Sequence, residues 1–369
     1  MQNFNYYLPT KILHGEGIVL QNSQEFARYG KKALIVTGKN SAKQSGALSN
    51  VLTAFEQIEM EYLLFDQVEN NPSLENVTLG GEIARRWNPD FILGIGGGSP
   101  LDAAKAIAVL ATNAIPAIDL FKNTYANQPL PILAIPTTAG TGSEATPYSV
   151  LTIPEAETKK GFGGAALFPK VAFLDNQYTA SLPLAVTVDT AVDALSHLVE
   201  AYLSRRASDA SDLFAGQGIQ LWKNCIAPLQ AGELSADVRD ALLIASTLGG
   251  IAISHTGTTF VHALGYPLTY YHGIPHGQAN GLIMGEFLRY THTVAPNRVN
   301  NVLQWIELPD VDSFLHLMQG FFRNKLQLTA DQVKAYALTA SQTKNAGYSL
   351  GNVTAEVCDQ VLSSSFLKG

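Results

Sequence analysis

The second half of the chain carries the residue types of a metal site. Within Val188–Tyr202, read as a helix, Asp193 and His197 stand at i and i+4. That spacing sets a carboxylate and an imidazole on one face about 6 Å apart, which suits two ligands of a divalent ion or a hydrogen bond along the helix. Farther on, His262, His272 and His276 lie in a stretch from Ala241 to Gly285 that has no Asp, Glu, Lys or Arg. An uncharged, His-rich segment reads as the wall of a dry site. One Asp with three His suits Fe(II), Zn(II), Mn(II) or Co(II), and the donors do not choose among them. The residual positive charge of such a centre would polarise an alcohol or carbonyl oxygen. Glu200, one turn beyond His197, reads more readily as an ordinary helix charge than as a partner orienting a ligand.

The first half offers a place for phosphate. Phe91-Ile-Leu-Gly-Ile-Gly96-Gly97-Gly98-Ser99-Pro100-Leu-Asp102 is a strand, a glycine-rich turn and a helix start in succession. Without Cβ atoms, such a turn brings backbone N–H groups and a helix N-terminus close to a pyrophosphate. It departs from G-x-G-x-x-G, because Ser99 stands where the last glycine would be, and a tight turn with no ligand is the alternative. A second small-residue loop, Pro136-Thr137-Thr138-Ala-Gly140-Thr141-Gly142-Ser143-Glu144, also follows a strand. Two such loops at strand C-termini fit a nucleotide crevice.

The elements that must position these residues divide at about Leu182. Before it, apolar runs at 33–37, 62–65, 91–95, 132–135 and 171–174 read as buried strands, and Ser73–Trp87 and Pro100–Thr112 as helices. After it come only helical patterns, at 184–205, 208–226, 235–253, 277–294, 311–325, 329–343 and 354–367. The expected fold is an α/β Rossmann-like nucleotide-binding domain over 1–181 and an all-α metal-binding domain over 182–369.

Composition bounds the rest. The 369 residues carry 24 Lys plus Arg against 31 Asp plus Glu, a net charge of −7, and only 15% are charged. An acidic chain without basic runs excludes nucleic acid as a partner. No window offers the roughly 20 apolar residues of a membrane span. Cys225 and Cys358 read as reduced core thiols. The first residues lack a signal-peptide pattern, so a cytoplasmic location is expected. Gly347-Tyr-Ser349-Leu-Gly351 matches the G-x-S-x-G of serine hydrolases, but polar residues precede it and no histidine follows His316. It reads as a helix-ending turn.

With these motifs in order, from Tyr7-Leu-Pro-Thr-Lys-Ile to His276-Gly277, the chain resembles the iron-containing alcohol dehydrogenase family of the dehydroquinate-synthase-like superfamily. The resemblance implies hydride transfer between nicotinamide C4 and a small alcohol or aldehyde, and a homodimer. It puts the metal on Asp193, His197, His262 and His276, with Fe(II) expected and Zn(II) the alternative. Gly97, Gly98, Ser99, Asp102, Thr137, Thr138 and Thr141 match the family's dinucleotide contacts, as do Asn71 and Lys160. Many members have a histidine four residues after the third ligand, thought to assist proton transfer. Here Tyr266 stands at that position, and His272 is the other candidate. NAD-preferring members place an acid just after the first nucleotide strand, where this chain has Thr37-Gly38-Lys39-Asn40. NADP(H) is therefore expected over NAD(H). A zinc polyol dehydrogenase shares the fold. A dehydroquinate-synthase-like lyase would need Lys and Arg around the metal, and the 241–285 stretch has none.

Overall fold

The computed structural model describes residues 4–322 and 326–367. The chain divides into two compact units, one spanning Leu8–Leu182 and the other running from Pro183 onward together with the residues ahead of Leu8.

The first unit is built on strands β1 (Lys11–His14), β2 (Lys32–Gly38), β3 (Glu61–Val68), β4 (Phe91–Gly96), β5 (Ile132–Pro136) and β8 (Val171–Leu174), with a hairpin of β6 (Tyr148–Ile153) and β7 (Thr158–Gly163). The six form one parallel sheet in the order β3-β2-β4-β5-β8-β1. Parallel sheets are buried on both faces, which is why these strands read as near-continuous apolar runs. Ala33 and Ile35 enter one core with Phe91, Leu93 and Phe173, whereas Leu34 and Val36 enter another with Ile92 and Phe65. The main helices here are α1 (Ala47–Gln57), α2 (Leu74–Trp87) and α3 (Gly98–Thr112). Ser73 caps α2, its Oγ accepting from the Asn76 N–H. Because β3 lies on one side of β2 and β4 on the other, the sheet reverses its direction of growth there. The carboxyl ends of β2 and β4 flank such a switch point, the usual ligand crevice of open α/β sheets.

The second unit is helical: α4 (Leu184–Tyr202), α5 (Asp209–Lys223), α6 (Ala236–Thr256), α7 (Phe260–His272), α8 (His276–Val294), α9 (Pro296–Ile306), α10 (Val311–Phe321), α11 (Ala330–Ser341) and α12 (Ala355–Phe366). Arg323–Lys325, the tail of the 311–325 pattern, lie outside the described residues. From Ala191 to Tyr202 every residue of α4 is buried, since the helix packs against α5, α6 and α8. Among the described residues, α7 and α9 are the longer additions to the expected set, beside the short helices Ile226–Ala231 and Lys344–Tyr348. In α7 the apolar residues run all round and Pro267 interrupts them, so no helical stripe shows. Residues 4–7 join this unit, with Tyr6 stacked on His255 at 4.6 Å and the Tyr7 N–H donating to His255 Nε2.

Both cysteines are buried and free, and burial pushes their thiols up, Cys225 to about 11 and Cys358 to about 12. Ser349 closes the short helix Lys344–Tyr348 and spends its hydroxyl on the Phe260 N–H and the Asn345 carbonyl. A helix rather than a strand precedes it, so this is no nucleophile elbow. Among the described residues no helix is long and apolar enough to cross a membrane.

Candidate functional site

At the switch point, β4 ends in Gly96 and α3 begins at Gly98. Gly96 has a φ of 150°, and a Cβ on it would lie 2.5 Å from Pro100 Cγ. Only glycine fits there. A Cβ on Gly98 would lie 2.7 Å from Thr141 Cγ2, and one on Gly97 3.1 Å from Thr138 Oγ1. The Thr137 N–H donates to the Gly96 carbonyl at 2.9 Å, so the two sequence loops lie side by side. No side chain caps α3, whose N-cap is Gly97, and the buried Thr137 hydroxyl has no partner. Uncapped first-turn N–H groups with a spare hydroxyl fit an anionic pyrophosphate. Asn71, in the left-handed region at φ 58°, joins this cradle by donating its N–H to Ser99 Oγ at 3.1 Å. Gly38 closes β2 beside it, where a Cβ would lie 4.0 Å from Pro100 Cγ.

In the helical unit, Asp193 of α4, His262 of α7 and His276 of α8 bring one ligand atom each to within 4.8 Å of one another. Asp193 Oδ1 is 3.9 Å from His262 Nε2 and 3.8 Å from His276 Nε2. His197 follows on α4, its Nε2 3.0 Å from that of His262. Burial alone would raise the Asp193 carboxyl, but His197, His276 and His262 around it outweigh that and hold it below the usual range. An ionised carboxylate facing imidazole nitrogens, all buried or half-buried, is the donor chemistry of a divalent transition-metal ion. Glu200 is fully buried and no ordinary helix charge. Its Oε2 bonds His262 Nδ1, and its Oε1 accepts from the Thr259 N–H and hydroxyl, both at 2.7 Å. That bond raises the basicity of His262, against the lowering effect of burial, and turns Nε2 toward Asp193.

A profile described as iron-containing alcohol dehydrogenase matches residues 9–176, and the C-terminal profile of the same family matches residues 187–335. An NADPH-dependent butanol dehydrogenase of Clostridium saccharobutylicum is 30% identical over 92% of this chain and 88% of its own. The chain belongs to the iron-containing alcohol dehydrogenase family. A 1,3-propanediol dehydrogenase of Klebsiella pneumoniae is 34% identical over 82% of this chain and 77% of its own. The crystal structure of an iron-containing alcohol dehydrogenase of Thermotoga maritima, 36% identical, superposes with a TM-score of 0.92 over 99% of both chains. This chain is accordingly a metal-dependent, NAD(P)-linked alcohol dehydrogenase.

In the dehydrogenase, several expected residues do other work. Asp102 is tied to the second loop and to β6: its Oδ1 accepts from Ser143 Oγ at 2.6 Å and its Oδ2 from the Val150 N–H at 2.8 Å. Beside it Lys105, fully buried, donates to the Ser143 and Tyr148 carbonyls and ties α3 to the second loop. Burial lowers its ammonium to about 8, although Asp102 and Glu144 oppose the shift. Of the adjacent lysines, Lys159 and not Lys160 reaches the cradle, donating to Asn71 Oδ1 at 2.8 Å. Strand alternation turns Lys160 the other way, with its ammonium over the Phe121 ring. His272, at the C-terminal end of α7, pairs with the Tyr336 hydroxyl at 3.0 Å, and burial lowers its pKa. Tyr266 instead lies on the donor cluster, its ring stacked on His276 at 5.8 Å. Asp189, unmarked by the sequence reading, caps α8 by accepting from the Gln278 N–H at 2.7 Å. Burial raises its carboxyl to about 6.

In the cradle, Gly98→Ala forces its new methyl onto Thr141. The variant is expected to bind its reduced nicotinamide cofactor about tenfold more weakly, ~1.4 kcal/mol, in a fluorescence titration. Unchanged affinity would remove this turn from the cofactor site.

Proposed function

We propose that this dehydrogenase works with Fe(II) and NADP(H) on a small alcohol or aldehyde, as a cytoplasmic homodimer. The observation that carries the reading is the buried convergence of Asp193, His262 and His276 from three helices. These three, with His197 beside them, would hold the ion, which when bound supplies a Lewis acid for the substrate oxygen. Tyr266, stacked on His276, is the better placed of the two candidates for hydrogen bonding to that oxygen. Gly97, Gly98, Ser99, Thr137, Thr138 and Thr141 would receive the pyrophosphate, with Asn71 and Lys159 at the rim. Lys159, paired with Asn71, is favoured over the expected Lys160, and Asp102 holds Ser143 of the second loop.

NADP(H) is favoured because β2 ends in Gly38 followed by Lys39, with no acid to repel a 2′-phosphate. The relative named as an NADPH-dependent butanol dehydrogenase supports that choice and the substrate class. The dimer reading is supported by β1, which among the described residues pairs only with β8 and leaves its outer edge for another strand.

The test is to strip the protein with a chelator, reload it anaerobically with Fe(II) or Zn(II), and follow NADPH and NADH oxidation with small aldehydes. Turnover with Fe(II) and NADPH is expected. A clear NADH preference would overturn the cofactor reading, and activity confined to Zn(II) would favour a polyol dehydrogenase.

A further inference from the structure

Asn280 is fully buried on α8, one turn after His276. Its amide nitrogen donates to Asp193 Oδ1 at 3.2 Å and stands 3.3 Å from His262 Nε2 and 3.5 Å from both His276 Nε2 and Ser196 Oγ. One side chain thus touches all three helices that bring the donor triad together. Its carbonyl oxygen is buried with no hydrogen-bond donor and faces Gly265 of α7, three residues after His262. A Cβ on Gly265 would overlap that oxygen. Core packing alone would favour an apolar side chain here, because an amide with an unsatisfied end costs stability. The amide is kept, and the facing helix is cut back to glycine to admit it.

We propose that Asn280 is the positioning residue of the metal centre. Its N–H group fixes the rotation of the Asp193 carboxylate, so that one oxygen and not both is presented beside the two imidazoles. Gly265 is glycine so that the amide can enter between the ligand-bearing helices. A carboxylate oxygen has lone pairs enough to accept an N–H and serve an ion together, and partners of this kind tune affinity without being ligands. The inference rests on reading Asp193, His262 and His276 as ligands.

Cobalt(II) is the probe, since its visible absorption reports coordination number. Full-length wild type, Asn280→Ala, Gly265→Ala and His262→Ala are titrated against a competing chelator, and spectra are taken at saturation. Asn280→Ala is expected to bind cobalt at least about tenfold more weakly. At saturation its bands should be weaker, as a second Asp193 oxygen enters. A merely structural role would lower the unfolding temperature and leave the saturated spectrum unchanged. Gly265→Ala changes no polar atom but displaces the amide, so its bands should move in the same direction. That variant carries the test if Asn280→Ala does not fold. Wild-type affinity and bands in either folded variant overturn the proposal. Wild-type binding by His262→Ala overturns the ligand reading itself, and the role of Asn280 with it.

Discussion

His262→Ala is expected to lose its bound metal and about 10³-fold or more in turnover, the scale of one strong charge-stabilising interaction removed from a dry site. His262 stands between Asp193 and His197 and is also the partner of Glu200. Removing the ring leaves the buried Glu200 carboxylate without its Nδ1–H donor, which costs roughly 1–3 kcal/mol or more for a charged group. The same variant should therefore unfold at a markedly lower temperature. His276→Ala separates the two effects. His276 keeps 29% of its side chain exposed and is not the partner of Glu200. It should lose metal and turnover with little loss of stability. Metal per chain by elemental analysis, thermal unfolding and kcat are measured on both. Stoichiometric metal and full turnover in either variant would remove that residue from the ligand set.

Glu200→Gln keeps the shape of a fully buried side chain and changes the proton balance. As a carboxylate, Glu200 can only accept, so His262 carries its proton on Nδ1 and turns a lone pair on Nε2 toward Asp193. A glutamine can satisfy Thr259 through its oxygen, but its amide nitrogen then faces the Nδ1 proton. The ring must shift that proton to Nε2 or lose the bond, and a protonated Nε2 cannot bind a metal. Affinity is expected to fall 10–100-fold, the range for losing such an orienting partner. Glu200→Leu should be worse for the fold, because it strands the Thr259 N–H and hydroxyl and the His262 ring, at roughly 1–3 kcal/mol for each unsatisfied group. Chelator competition and denaturant unfolding distinguish the two. A Glu200→Gln variant that held metal like wild type would show that the His262 tautomer is set by something else.

The parallel strands were legible because burial on both faces writes an unbroken apolar run, as in Ile92–Ile95 and Ile132–Ile135. The β6–β7 hairpin was not, since it follows an irregular loop and carries Lys159 and Lys160 on a half-exposed ribbon. Asp193 and His276 could be seen as chemistry in the sequence, one by its i, i+4 partner and the other by its glycine neighbour. Glu200 could not be told from a solvated charge. What buries it is Thr259, 59 residues away, and no local pattern reports that contact. Asn280 bears to His276 the same i+4 relation that His197 bears to Asp193, but an amide has neither the charge nor the imidazole that would mark it as metal chemistry in the sequence. The choice between Lys159 and Lys160 rested on the phase of a strand, and a one-residue change of phase exchanges the two faces.

The pairing of β1 with β8 joins residues 11–14 to residues 171–174 across most of the first unit. A ribosome releases the amino end of this sheet long before the strand that receives it, so the edge must wait unpaired while some 160 residues are made. Tyr6 and Tyr7 wait longer still, because His255 belongs to a helix made later again. Sequence separation of this kind slows folding, since the entropy of closing a long loop is spent before any contact returns it. Residues 6–14 are thus made long before the segments that receive them, and nascent chains that end before about residue 175 should expose β1 to proteases that the finished enzyme resists.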